Sequence, residues 1–438
     1  MHGRYFAIQD AGGAIILPSN NKVQAKRHGG SRTVHNTTTN WTGVLFGLAL
    51  AVLAAFQQFK LPPVLPELFD LYGHDPLLAA GFMSVFAIAG LTLSFGMGTS
   101  LPRLGMARTV YAATALLAVG CLLALWIPAQ GWLFLFARGL EAIGFTMLAI
   151  IGPTLCTRNA AQAHLPVAAA LIATWIPLGA LIANGLAIAA WQAGDWRALW
   201  WMGVAASLGM AAWAAWLSRR HSIDLGTVPK QTTENSGSTS PAQNLSLVLV
   251  AAIFMMWSCQ YFAYMTWLPE YLVREFGFTT RLAILSYTIP VAIIVAFNLL
   301  AAPILRRGVP VGALLAIVLA GQAIIWFLVP VTDSGWSGLV SLLVYGALAG
   351  VTATCLFAMP GTIFGTGGAT ARSFAIMMTG RNMGVLAGPL LLAGMIKYLQ
   401  TWDYAGPVLG AVTAVNMVCA LILTRRLAAA RAAQGMSR

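Results

Sequence analysis

Residues 218–244 read SRRHSIDLGTVPKQTTENSGSTSPAQN. The segment is polar and rich in Ser, Thr, Gly and Pro. Such a composition neither builds a core nor crosses a bilayer, so a flexible linker is predicted. Its meaning comes from its flanks. Upstream, apolar runs lie near 41–66, 77–101, 106–127, 131–156, 167–190 and 196–217; downstream they lie near 245–272, 281–304, 310–330, 336–361, 373–397 and 404–426. A spanning helix needs roughly 20 apolar residues, and each run supplies that length. The chain therefore reads as six spans, a break, and six more. The expected units are a tail over 1–40, a bundle over 41–217, the linker, a second bundle over 245–427 and a tail over 428–438.

Composition gives the same class. The chain has 438 residues, 59% hydrophobic and 8% charged, against about 25% charged in a soluble domain. Lipid must serve as its solvent. The five cysteines (Cys121, Cys156, Cys259, Cys355 and Cys419) stand singly in apolar runs, with no CxxC pair, and read as small core residues. Residues 1–40 are polar, with AGGAIILP (11–18) too short to span, and do not read as a signal peptide. No P-loop, HExxH or partnered GxSxG occurs, so neither an ATP-driven pump nor a membrane hydrolase is expected, and no cofactor is called for.

The formal charge of +13 is a matter of distribution. Of 25 Lys and Arg, 18 fall in the tails, the linker and the loops after even-numbered spans. The opposite loops hold mainly acids: Glu67, Asp70, Asp75, Asp195, Glu270, Glu275, Asp333 and Asp403. The positive-inside rule then predicts both termini and the central linker in the cytoplasm, and the expected location of this multi-pass protein is a bacterial inner membrane. The high charge marks topology, so no nucleic-acid partner is expected.

The halves resemble one another. GTSLPRLG (98–105) follows the second span and APILRRG (302–308) the eighth, with Gly105 on Gly308 and Arg103 on Arg306. TWIPLGAL (174–181) parallels TGRNMGVL (379–386), with Thr174 on Thr379 and Gly179 on Gly384. Matches at corresponding places in two six-helix halves point to a duplicated transporter architecture. This layout resembles the major facilitator superfamily over residues 41–427. Gly98, Arg103, Gly105 and a displaced Arg108 match the family's loop motif, while Pro102 stands where an acid is usual. Arg306, Arg307 and Gly308 repeat the motif in the second half, Arg138 and Gly144 in RGLEAIG match its fourth-span pattern, and DWR (195–197) is a further common feature. QFKLPPVLPEL followed by MSVFAIAG looks most like the branch with cyanate and nitroimidazole permeases. The resemblance implies an all-α membrane protein of 12 transmembrane helices in two pseudo-symmetric bundles. It also implies transport by alternating access, with the loop arginines latching one face.

Charges inside spans are costly, and the default reading is functional. Arg381 lies about nine residues into its span, about 13 Å deep at 1.5 Å rise. Beside Asn382, it reads as a substrate contact or as a structural arginine bonding carbonyls. Arg138 and Glu141 share a face of the fourth span. They read as a self-neutralising pair or as a proton-coupling carboxylate whose protonation frees Arg138 for an anion. Lys60, with Gln57 three residues before it, either faces a central cavity or snorkels to the headgroups. The nearby prolines remove backbone donors and permit a bend. Gln260, Tyr264 and Trp267 form a polar-aromatic face on the seventh span, lining the cavity or joining an interfacial belt, and Trp175 could add a stacking wall.

Cavity-side cations Lys60, Arg138 and Arg381 against the single acid Glu141 favour a small anionic or carbonyl-rich solute. The reading is proton-coupled uptake by a monomer, with protons, the solute and the bilayer as its partners. The alternatives are proton-antiport export of a drug, nitroaromatic or metabolite, and a membrane receptor that does not transport.

Overall fold

The computed structural model describes residues 38–64, 68, 71–74, 76–192, 195–220, 223, 240–365, 371–399 and 401–436. Residues 1–37 of the tail expected over 1–40, and most of the linker, lie outside them. The first half comprises α1 (Trp41–Phe59), α2 (Pro76–Leu104), α3 (Met106–Trp126), α4 (Gly131–Asn159), α5 (Leu165–Ala173), α6 (Trp175–Gln192) and α7 (Arg197–Arg219). The second comprises α8 (Pro241–Arg274), α9 (Thr280–Arg306), α10 (Val311–Leu328), α11 (Trp336–Phe364), α12 (Ala371–Leu399) and α13 (Ala405–Met436). Eleven helical segments among the described residues are long and apolar enough to cross a membrane, and the apolar stretch Gly81–Ser94 lies within α2 at the place of the remaining predicted span. Helix α13 runs to Met436, through the segment read as a tail, because its Ala-rich sequence is strongly helix-forming.

Helix ends follow local chemistry. Ser240 caps α8 in a reciprocal box with Gln243, with Pro241 at the first helical position, so the end of the polar break is itself a start signal. Gly105 (φ 82°) and Gly308 (φ 88°) both take the left-handed conformation, at the positions the two loop motifs align. The fifth span is broken at Thr174 into α5 and α6. Pro177 has no N–H for the carbonyl of Ala173, and the Nδ2 of Asn298, from α9, donates to that oxygen at 3.2 Å.

Lipid tails are as apolar as the side chains, so helices associate through close packing rather than hydrophobic exclusion. Helix α4 packs on α1, α2 and α3; α8 packs on α12 and α13; and α9 packs on α11. The halves meet where α2 lies on α12, and where α5 lies on α9 and α11. Gly380, Gly384 and Gly388, one turn apart on α12, face the backbone of α8. A Cβ at these positions would fall 2.2, 2.1 and 2.0 Å from the carbonyls of Ala251, Met255 and Cys259. The internal repeat has the same physical cause in both halves: a Cβ on Gly179 would meet the Phe56 nitrogen at 2.7 Å, and one on Gly384 the Cys259 nitrogen at 2.7 Å. The substitution Gly384→Val is expected to cost about 1–3 kcal/mol by overpacking. It should lower the thermal midpoint of purified protein by several degrees, whereas Gly394→Val on the same helix, where a Cβ meets nothing within 4 Å, should leave it unchanged.

Candidate functional site

The predicted site residues separate into three groups. The first sits inside the first half, between α1, α3, α4 and α7. Helix α1 ends at Phe59 ahead of Pro62 and Pro63, and Pro62 has no N–H for the carbonyl of Gln58. Arg138 fills that role. Its Nη2 donates to Gln58 O at 3.1 Å, its Nη1 to Gln57 O at 2.9 Å, and its Nε to Phe82 O at 3.4 Å. Nη1 also pairs with Glu141 Oε2. Lys60, at 0% exposure, turns inward. Its Nζ reaches Glu141 Oε1 at 3.2 Å, Gln57 Oε1 at 2.5 Å and Cys121 Sγ at 2.9 Å, 4.7 Å from the centroid of the Trp200 ring. Gln57 in turn donates to Gly203 O at 3.0 Å and Ser207 Oγ at 3.1 Å. Bare backbone makes the room: a Cβ on Gly203 would lie 2.8 Å from Gln57 Oε1, and one on Gly120 would lie 2.7 Å from Glu141 Cγ. Two cations thus share one carboxylate in a fully buried cluster.

The second group is neutral. The register that lays Gly105 on Gly308 also lays Gln57 on Gln260, and both are hubs with 0% exposure. Gln260 Oε1 accepts from Trp326 Nε1 at 2.6 Å and Tyr345 OH at 2.7 Å, while its Nε2 donates to Gln322 Oε1 at 2.7 Å. Gln322 passes the chain on to Thr352 at 2.7 Å. Tyr264 packs over this hub, its ring 4.2 Å from that of Tyr345. Toward the acidic end lies an aromatic cavity lined by Tyr264, Trp267, Tyr271, Trp326 and Trp402. In the loop before α11, the Ser337 hydroxyl and the Gly335 N–H hold the Asp333 carboxyl below the usual carboxylate range.

Arg381 and Asn382 form the third group, where the halves meet. Arg381 is 2% exposed. Its Nη1 donates to Asn382 Oδ1 at 2.9 Å, and its Nη2 has no hydrogen-bond partner. The guanidinium carbon lies 5.5 Å from the ring centroid of Trp175 on α6 and 5.3 Å from that of Phe262 on α8. No carboxylate pairs with it among the described residues. Asn382 lies against the bare backbone of Gly90 on α2, where a Cβ would fall 2.1 Å from its Nδ2. A cation in low dielectric with an open N–H edge is poised for an anion.

The loop arginines are surface groups. Arg108, Arg306 and Arg307 are exposed at the basic end, and Gly105 and Gly308 shape the turns there. Gly98 falls within α2, and the side chain of Arg103 lies outside the described residues. Sequence reasoning did not single out Cys121, Trp200 and Ser207 around Lys60, Phe262 beside Arg381, or the Gln322 chain. Gln322 carried a signal, as a lone amide in the apolar run VGALLAIVLAGQAIIWFL. The five cysteines are free, and no group of three metal-ligating side chains occurs among the described residues.

Residues 47–371 match the family described as Major Facilitator Superfamily. No curated protein sequence matches the chain. Among solved structures, the proton:xylose symporter XylE bound to 6-bromo-6-deoxy-D-glucose aligns with a TM-score of 0.68 at 14% identity, covering 89% of this chain and 95% of that one. FucP in the outward conformation aligns at 0.68 and 15%, covering 89% and 99%. The human organic anion transporter MFSD10 aligns at 0.66 and 16%, covering 89% and 100%. At these identities the likeness is one of fold.

Proposed function

Because the chain belongs to the Major Facilitator Superfamily, it is a membrane transporter and not an enzyme, and we infer that its cargo is a small anion carried by alternating access together with protons. The observation that carries this reading is Arg381: a buried guanidinium with an unsatisfied Nη2 and no carboxylate partner among the described residues, held where the two halves meet. A cation so placed costs stability unless a ligand meets it. Arg138 is less suited to that task in this conformation, since each of its nitrogens already donates to Glu141 or to a backbone carbonyl.

Alternating access needs halves that part at one end while closing at the other. The basic-end contacts serve as the closed gate. Leu165 at the start of α5 lies 3.3 Å from a Cβ built on Gly361, and Asn298 bonds the Ala173 carbonyl across the same seam. Arg108, Arg306 and Arg307 at this end fit the cytoplasmic face of an inner-membrane protein with cytoplasmic termini. Glu141 is the coupling candidate, being the one acid buried inside a span among the described residues. Two of the fold neighbours are described as a proton:xylose symporter and an organic anion transporter, which accords with both parts of the reading.

The test is uptake into proteoliposomes under an imposed pH gradient, acid outside, with radiolabelled monocarboxylates and inorganic anions. Concentrative uptake that collapses with a protonophore is expected. Accumulation of neutral sugars with no response to any anion would overturn the anion assignment. A second reading, proton-antiport export of an aromatic drug or metabolite, draws on the aromatic cavity of the second half. It requires accumulation when the gradient is reversed.

A further inference from the structure

We propose that the anion recognised at Arg381 is a small planar aromatic monocarboxylate of the benzoate type. This rests on the reading of Arg381 as the anion contact and adds the charge and shape of the ligand.

The charge follows from the donors that are open. Around Arg381, one guanidinium lacks a carboxylate, and its Nη2 is the unsatisfied edge. The other buried cations, Lys60 and Arg138, are already bound to Glu141, Gln57 and backbone carbonyls within their own cluster. Among the described residues, one free buried cation matches one negative charge. A second carboxylate would enter the same low-dielectric seam with no cation left to pair with it, a heavily penalised arrangement.

The shape follows from the walls. Trp175 flanks the guanidinium from the first half and Phe262 from the second. Each ring is backed by others: Trp175 stacks on Phe145 at 5.8 Å and 28°, Phe262 meets Tyr261 edge-on at 5.2 Å, and Tyr261 stacks on Trp257 at 4.9 Å and 12°. Trp257 Nε1 is a second buried donor without a partner on this wall. A carboxylate binds a guanidinium edge-on in its plane. An arene conjugated to that carboxylate is coplanar with it, so a ligand bound there would present a flat aromatic face to Trp175 and Phe262. A saturated ring of similar size is puckered and lacks the quadrupole that such rings favour. Since the two nearest walls belong to different halves, movement of the halves would part them and release the ligand.

The experiment measures binding to the purified full-length protein in lipid nanodiscs by isothermal titration, with benzoate, cyclohexanecarboxylate and terephthalate as probes. Benzoate should bind about tenfold more tightly than cyclohexanecarboxylate, the size of one or two aromatic contacts, and terephthalate more weakly than either. Trp175→Leu, with Phe262→Leu as a second variant should the first not fold, should equalise benzoate and cyclohexanecarboxylate while both still bind. Arg381→Gln should abolish binding of all three. Equal binding of benzoate and cyclohexanecarboxylate by the native protein, lost in Arg381→Gln, would overturn the aromatic assignment and leave the anion reading standing. Tighter binding of terephthalate would overturn the single-charge argument. No binding of any probe would overturn this inference, and binding unchanged by Arg381→Gln would overturn it together with the anion site.

Discussion

Replacing Arg381 with alanine should lower uptake by about 30-fold or more while leaving the amount of folded protein in the membrane unchanged. The two halves of that expectation have separate causes. In the ligand-free protein, Arg381 donates one hydrogen bond to Asn382 and lies near two aromatic rings. The ring contacts contribute on the order of 0.5–2 kcal/mol each. Against them stands the cost of a buried, unsatisfied guanidinium, which the substitution removes. No acid is orphaned, because none pairs with Arg381 among the described residues. Stability should therefore hold within about 1–2 kcal/mol. A bound anion has no such compensation. Losing one partner of a desolvated charge pair costs about 2–5 kcal/mol, roughly 30-fold to several thousand-fold in affinity. Arg381→Lys sharpens the point: it keeps the charge but loses the planar fork, so intermediate uptake is expected. Proteoliposome uptake alongside size-exclusion profiles makes the measurement, and an alanine variant with native transport would sink the anion-site reading.

Membrane proteins disclose their architecture early and their sites late, and this chain illustrates why. The spans and the polar break were legible because hydrocarbon demands about 20 apolar residues per crossing, whatever the tertiary packing. The pairing of Gly105 with Gly308 was legible because only glycine takes positive φ cheaply, and both do so. The Thr174/Thr379 alignment carries the glycines Gly179 and Gly384, which make the same backbone contact in the two halves. The depth of Arg381 could be counted by helical rise. Its surroundings could not, since Trp175 and Phe262 come from two other helices.

Lys60 shows the limit most clearly. Counting residues left two readings, cavity or headgroups, and the structure gives a different environment: full burial between α1, α3, α4 and α7, against Glu141 and Cys121. The azimuth of a side chain on a uniformly apolar helix has no sequence signature, because hydrophobic periodicity fades when every face is apolar. Cys121 and Trp200 belong to such helices. The prolines after Lys60 permit a bend, and their consequence is more specific. Pro62 leaves the Gln58 carbonyl without its helical donor, and Arg138 caps that oxygen.

Glu141→Gln should produce the second large effect, in stability and in coupling at once. Wild type buries two cations around one carboxylate, and each carboxylate oxygen meets a different cation. The amide removes the only acid of the cluster and offers an N–H₂ where one cation needs an acceptor. Breaking a buried ion pair from one side costs about 3–5 kcal/mol, enough to lower the yield of monodisperse protein several-fold. That loss alone would say nothing about protons, so the charge must be restored independently. Lys60→Met keeps the Arg138–Glu141 pair and replaces the ammonium with an apolar chain of similar length. It should fold well, because exchanging a buried charge for a packed apolar group is often neutral or stabilising. The double variant Lys60→Met with Glu141→Gln carries the same net charge as the wild-type cluster, one positive, and should recover most of the lost yield. If Glu141 carries the transported proton, the recovered double variant exchanges the anion down its gradient but no longer accumulates it when the pH gradient is imposed. Proteoliposomes with matched protein content make the comparison, in counterflow and in gradient-driven uptake. Gradient-driven accumulation by the double variant at the wild-type level would remove Glu141 from the coupling role and leave it as the structural counter-ion of Lys60 and Arg138.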